Sequence, residues 1–372
     1  MLQNKIYSNF SLEIIKIFLT ILFGLSLIAL TVRAVNFLDL IVESGYSVLT
    51  YFKYSLLNLL GISVKFIPLS FLIALSVFII KHLKDNEFII LWTSGVKKIS
   101  VVKIFVILSY FIAIIYLIFS TFLTPLALNK SRSLLNNDFN SFLPTVKTQK
   151  FSDSFKGFTF FVEDKKENLI KNIFIHDTGN NIKNLSADVS GTNYNTILAK
   201  NGVIEDKKLL LINGQIISSK KNFKNEVVNF EQLILNLDHL STMTIKEPKI
   251  QETSTLQLIK CFVKEAKLSK FCNKDFKKEI KSTLNRRIVI PFYIPLISLI
   301  CGLTLIKSRK FYFNKYLIFF YSFIILVFTE VAVRYTGMNS FIFYFFIFFP
   351  FFLFLIIYYT LDFKFSKELK YE

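Results

Sequence analysis

Residues 104–129 read IFVILSYFIAIIYLIFSTFLTPLALN, an apolar run without one charged side chain. A helix needs roughly 20 mostly apolar residues to cross a bilayer core, fewer where flanking Lys or Arg snorkel. This run is long enough, and it is the third of its kind. Ile17–Val32 and Phe66–Ile80 precede it, and Ile288–Ile306, Tyr316–Val333 and Phe341–Leu361 follow after an insert of about 160 residues. Three apolar rods, a folded insert and three more rods are the outline of a transport or export subunit, not of a soluble enzyme.

Composition agrees. The 372 residues are 53% hydrophobic and 16% aromatic, with a mean hydropathy of +0.49, which is high for a soluble domain and ordinary for a polytopic membrane protein. The net charge of +19 is scattered between apolar runs. That placement suits Lys and Arg lying against anionic lipid, and it argues against nucleic-acid binding, which gathers basic residues on one element. The 44 Phe, with many Ile, Lys and Asn, reflect a compositional bias and carry no ligand site.

Cys261, Cys272 and Cys301 have neither metal-ligand spacing nor a disulfide framework. Cys301 sits inside an apolar run as a small hydrophobe. Cys261 and Cys272 fall on the exported side, where pairing is open to them, although their separation within one helix opposes it. No small-residue cleavage site follows the first apolar run, which reads as a retained helix rather than a signal peptide.

Positive charge sets the expected orientation. The loop Lys81–Lys103 carries Lys81, Lys84, Lys97, Lys98 and Lys103 against Asp85 and Glu87. Lys307–Lys315 holds Lys307, Arg309, Lys310 and Lys315, and the tail holds Lys364, Lys367 and Lys370. All three lie on one side if the rods alternate, and the positive-inside rule makes that side cytoplasmic. Both termini are then inside and the insert outside.

The insert changes period along its length. From Phe151 to Leu240 short β-rich runs such as Phe158–Val162, Ile173–Ile175, Leu209–Ile212 and Val227–Phe230 alternate with turn signals at Asn180-Asn181, Asn201-Gly202 and Asn213-Gly214. This predicts an antiparallel sandwich or open barrel. From Thr253 to Arg287 apolar residues recur at helical spacing among lysines, which predicts an amphipathic connector into the fourth rod. The organisation is therefore 1–129 as one membrane half, 130–252 as the β domain, 253–287 as the connector and 288–372 as the second half.

No catalytic or cofactor-binding constellation appears: no phosphate loop, no H-E-x-x-H, and His82, His176 and His239 stand apart in the sequence. Energy from ATP must enter through another subunit. The loop Asp85–Gly95 reads as a short helix with Asp85 or Asn86 as N-cap and Gly95 as its stop. Its Phe88, Ile89, Leu91 and Trp92 suit insertion into a groove on a cytosolic partner, with Glu87 pairing a basic residue there. An interfacial helix with Trp92 at headgroup level is the alternative.

Arg33, Lys65, Arg286, Arg287 and Arg334 fall near the outer-leaflet boundary when counted along each rod. Cations that converge there suit a phosphate-bearing amphiphile. Snorkelling at helix ends is the other reading, and Glu330 stands one turn before Arg334 as a candidate ion-pair partner.

Four stretches then carry a resemblance that covers nearly the whole chain. They are Ile21-Leu-Phe followed by Arg33, Ile67-Pro-Leu-Ser-Phe71, Asn86–Gly95 with Glu87 eight residues before the glycine, and Leu284-Asn-Arg-Arg-Ile288. In this topology the chain resembles the LptF/LptG permeases, membrane subunits of the exporter that extracts lipopolysaccharide. Phe158–Asp164 with Asn172–Asp177 looks more like the LptF branch. The resemblance implies six transmembrane helices in a 3+3 arrangement with an inserted periplasmic all-β jellyroll-like domain. It implies an LptG-like partner, an LptB-like ATPase dimer and an LptC/LptA-like periplasmic bridge, within an inner membrane. Arg33 then faces a lipid cavity and Glu87, Phe88, Leu91, Trp92 and Gly95 form the ATPase-coupling helix. Arg287 and Lys65 join the substrate set, Lys65 from charge placement alone. The rival readings are a permease for another lipid or lipoprotein, and a membrane-anchored periplasmic scaffold.

Overall fold

The computed structural model describes residues 2–38, 41, 48–138, 148–155, 158–166, 168–178, 192–205, 208–220, 225–236, 249–263, 277–306 and 315–371. Asn180-Asn181, His239, Cys272 and most of the Lys307–Lys315 loop lie outside these residues. The chain forms two units: Met1–Val32, Leu57–Asn129 and Lys249–Glu372 make the first, and Arg33–Leu56 and Lys130–Pro248 the second.

Among the described residues six helices are long and apolar enough to cross a membrane: Lys5–Phe37, Val48–Lys84, Lys98–Leu135, Lys277–Leu305, Tyr316–Tyr335 and Ser340–Glu368. They comprise α1 (Leu2–Phe37), α2 (Val48–Lys84), α4 (Lys98–Ile118) continued by α5 (Thr124–Asp138), α7 (Lys277–Ile288) continued by α8 (Tyr293–Gly302), α9 (Lys315–Tyr335) and α10 (Ser340–Tyr371). Between α2 and α4 sits the short α3 (Glu87–Thr93). The second span begins at Val48, well before the Phe66 read from hydropathy. Lys53 and Lys65 interrupt the apolar pattern there without interrupting the helix.

In the first unit α8 is the central rod, and every one of its residues is buried. It packs against α4, α9 and α10. Small and hydroxylated residues allow this close approach, as in membrane helix pairs generally. Ser298 Oγ donates to Ser109 Oγ at 3.2 Å, and Cys301 Sγ lies 3.8 Å from Ser322 Oγ. A Cβ on Gly302 would press on the Val102 methyls at 3.1 Å. Tyr293 stacks on Phe346 and donates its hydroxyl to the Phe346 carbonyl at 2.9 Å.

Proline shapes the third span. Pro125 has no N–H and its ring crowds the carbonyl four residues back, so the regular ladder cannot pass it. The backbone widens into a π-helical turn over Phe119–Leu123 before α5 begins. The Thr121 carbonyl loses its usual intrahelical partner and accepts instead from Thr255 Oγ1 at 2.7 Å. Thr255 opens α6 (Thr255–Val263), the first helical part of the connector, and α7 is the last. Ile250, Leu258 and Ile280 form a small core between them, with Cys261 and Leu284 packed on it.

The second unit holds a single six-stranded antiparallel sheet. Its strands are β1 (Ser152–Phe155), β2 (Phe158–Lys166), β3 (Leu169–Asp177), β4 (Thr192–Glu205), β5 (Lys208–Lys220) and β6 (Asn225–Asn236), each beside its sequence neighbours. Asn201-Gly202 and Asn213-Gly214, expected to end strands, lie inside β4 and β5. Their effect is to bend the strand rather than stop it. Exposed neighbours Lys171-Asn172, Lys200-Asn201 and Glu231-Gln232 break the in–out alternation at one level, joined by the pairs Lys171–Asn201, Asn201–Ile212 and Ile212–Gln232. Asn172 (φ 51°) and Asn213 (φ 53°) sit there in the left-handed region, which Asn tolerates. A Cβ on Gly214 would meet the Leu198 carbonyl and the Phe230 ring, so only glycine fits the bend. Phe158, Phe160, Ile175 and Ile197 on one side of this line share one core with Ile204, Leu209, Leu211 and Leu235 on the other. The bend therefore leaves the apolar residues of both halves in one continuous core.

Candidate functional site

The short helix α3 is set by its two ends. Asn86 precedes it in the left-handed region at φ 56° and makes no side-chain cap. At the other end the Val96 amide donates to the Leu91 carbonyl and the Gly95 amide to the Trp92 carbonyl, both at 3.1 Å. This is the Schellman pattern, and Gly95 at φ 86° is the left-handed residue it requires. The expected stop is therefore where the sequence places it.

Helical spacing divides α3 into two faces. Phe88 and Leu91 are buried in the core of their own chain, and Phe88 stacks on Trp92 with ring centroids 5.7 Å apart. Phe88 also meets Phe10 and Phe78 edge-on at 6.3 and 6.4 Å. Ile89 and Ile90 point the other way and are 58% and 64% exposed. Of the apolar side chains read as partner contacts, Phe88 and Leu91 thus anchor the helix, and Ile89 with its neighbour Ile90 is presented outward.

Glu87 occupies the first turn and turns toward His82. The Glu87 Oε2 lies 3.0 Å from His82 Nε2, and Glu13 Oε2 approaches the same nitrogen at 3.5 Å. His82 Nδ1 meets the Phe78 carbonyl at 3.0 Å. The ring is almost fully buried, 4.0 Å from the Phe78 ring and 5.1 Å from Phe10. Glu13 completes the group through Oε1, which accepts from Lys81 Nζ at 2.7 Å. His82, solitary in the sequence, is thus the meeting point of α1, α2 and α3. No sequence signal joined Glu13 to this group, because the contact spans 68 positions in the chain. Just past α3, Lys98 pairs with Glu368 near the end of α10.

The cations of the substrate set divide between the units. Arg33 belongs to the second unit, in the last turns of α1, and is exposed. Lys65 belongs to the first, on α2, and is exposed as well. Arg287 is buried. Its Nη1 donates to the Thr253 carbonyl at 3.0 Å and to Thr255 Oγ1 at 2.9 Å, and its Nη2 to the Gln251 carbonyl at 2.8 Å. A buried guanidinium needs such partners. The Arg287 backbone carbonyl in turn accepts from Ser120 at the π-helical turn at 3.0 Å. Arg287 therefore pins the connector to the ends of the third and fourth spans. Glu330 takes Arg286 on α7 as its partner at 2.9 Å, across helices rather than along its own toward Arg334.

The outer surface of the sheet carries a groove of about 650 Å³ at the bend. Phe161, Phe174, Leu198 and Phe230 line it with Lys200, Asn213 and Gln215. No group of His, Cys, Asp and Glu among the described residues could hold a metal ion.

A family model described as the lipopolysaccharide export system permease LptF/LptG matches residues 12–361. The chain belongs to the LptF/LptG family. The match spans both membrane halves and the inserted sheet, so the whole architecture, not one motif, carries the assignment. An LptF/LptG chain is a permease for lipopolysaccharide export and a multi-pass inner-membrane protein, and the six spans agree with it. A search of curated proteins finds no match to the chain.

Proposed function

We propose that this LptF/LptG chain is one of two homologous permeases of an ATP-driven exporter, with ATP hydrolysed by a separate LptB-like dimer. The termini and α3 face the cytoplasm and the folded sheet faces the periplasm. Support comes from the lysines around α3 and from Cys261 on the connector, which is disulfide-bonded as suits an oxidising compartment. Lipopolysaccharide enters a cavity between the two permeases, where Arg33 meets its phosphates and apolar helix faces take its acyl chains. In this reading Arg287 braces the cavity rim from within the protein. The sheet then receives the lipid, and an LptC/LptA-like bridge joins it by strand addition. Phe158–Asp164 and Asn172–Asp177 favour the LptF branch.

The observation that carries the reading is the form of α3. A helix of seven residues is bolted to the first unit through Phe88 and Leu91 and still presents Ile89, Ile90 and Thr93 outward. A helix on lipid alone has no need of such an anchor. Changing Glu87 to Lys is expected to leave the spans folded while ATP hydrolysis loses its link to lipid release. Normal transport per ATP in reconstituted vesicles would refute the partner contact.

A further inference from the structure

We infer that His82 is the positioning residue for Glu87, and that its ring transmits displacement of α3 to α1 and α2. The inference rests on the coupling role given to α3 above.

Both ring nitrogens of His82 face acceptors: Nδ1 the Phe78 carbonyl at 3.0 Å, Nε2 the Glu87 carboxylate at 3.0 Å. Each ring nitrogen thus has an acceptor within reach for the proton it carries in its own tautomer. Phe78, Phe10 and Phe88 pack around it and leave it almost fully buried. The charged groups around it are Glu13 on α1, Lys81 on α2, Asp85 in the turn after α2 and Glu87 at the start of α3. Glu87 itself is 46% exposed. One carboxylate oxygen is thus oriented by the protein while the residue stays accessible to a partner. A carboxylate on a free short helix would scatter over its rotamers. Here a push on Glu87 bears directly on a buried ring locked between two membrane helices. Without the ring, α3 would keep its apolar anchor but lose its polar link to α1.

The discriminating variant is His82→Phe, which preserves the aromatic packing and removes both ring nitrogens. Its complex should assemble and hydrolyse ATP, with lipopolysaccharide released per ATP reduced by about tenfold, the scale of one lost hydrogen bond to a charged group. His82→Gln, which restores a donor toward Glu87, should recover most of that loss. His82→Phe added to Glu87→Ala should lower the yield no further than Glu87→Ala alone, because the ring acts only through that carboxylate. His82→Leu, which is also apolar and removes both ring nitrogens, carries the same cycle should the Phe variant fail to assemble. Wild-type yield in His82→Phe, no recovery with Gln, or additive losses in either cycle would overturn the inference. Failure of the wild-type complex to release lipid on ATP addition would instead overturn the exporter reading itself.

Discussion

Single residues here separate anchoring from function, and they do so by what surrounds each charge. Arg287 and Arg33 are the same residue type near the same expected boundary, yet Arg287 is buried and bonded to Gln251, Thr253 and Thr255. Arg287→Ala leaves three acceptors without a donor, each bond to a charged group contributing about 1.5–3 kcal/mol. A marked loss of thermal stability in detergent is expected, with little change per molecule still folded. Arg33→Glu should act the other way: an unchanged melting temperature, with lipopolysaccharide crosslinking weakened most at low salt, where exposed charges are least screened. Equal crosslinking at both salt concentrations would reduce Arg33 to a snorkelling side chain. Sequence cannot separate the two arginines, because the partners of Arg287 are mostly backbone carbonyls on a segment more than thirty positions away. Gly95 is the contrary case. Its role as stop is legible because its left-handed backbone is a local demand, and Gly95→Ala should cost about 1–2 kcal/mol for the same reason.

At the scale of elements, the six spans are legible because each carries an uninterrupted apolar window. What escapes is where a span begins when lysines sit inside it, as in α2, and what a breaking residue does. Pro125 reads as a generic helix breaker; its consequence is a π-helical turn that exports one carbonyl to Thr255. Pro125→Ala should let the ladder close. Hydrogen exchange is then expected to slow across Phe119–Thr124 and to quicken across Gln251–Leu258, where the connector loses a bond. No change at the connector would mean that Arg287 alone holds it. The Asn-Gly pairs of β4 and β5 taught a similar lesson. They signal a backbone departure correctly, but the departure is a bend shared by neighbouring strands, and only pairing reveals that it recurs at one level.

Over the whole molecule, the two units bury apolar surface by different means, and orientation follows from asking which medium each tolerates. The first unit leaves Phe23, Ile28, Phe320, Phe348 and Phe352 exposed on rods without charged neighbours, a surface stable only in lipid or against another apolar rod. The second buries Phe158, Phe160, Ile175, Ile204 and Leu211 in the core of its sheet and shows Lys171, Lys200, Glu231 and Gln232 outward beside exposed Val227, Val228 and Ile234. A chain with an even number of spans on either side of that sheet would return it to the side of the termini; three crossings on either side, as proposed, would put it opposite them. Single cysteine reporters test this directly. A reporter at Lys200 should react with an impermeant maleimide added to spheroplasts, whereas one at Lys97, beside α3, should react only after permeabilisation. Labelling of both from the same side would break the alternation of spans, and with it the assignment of α3 to the ATPase and of the sheet to the lipid bridge.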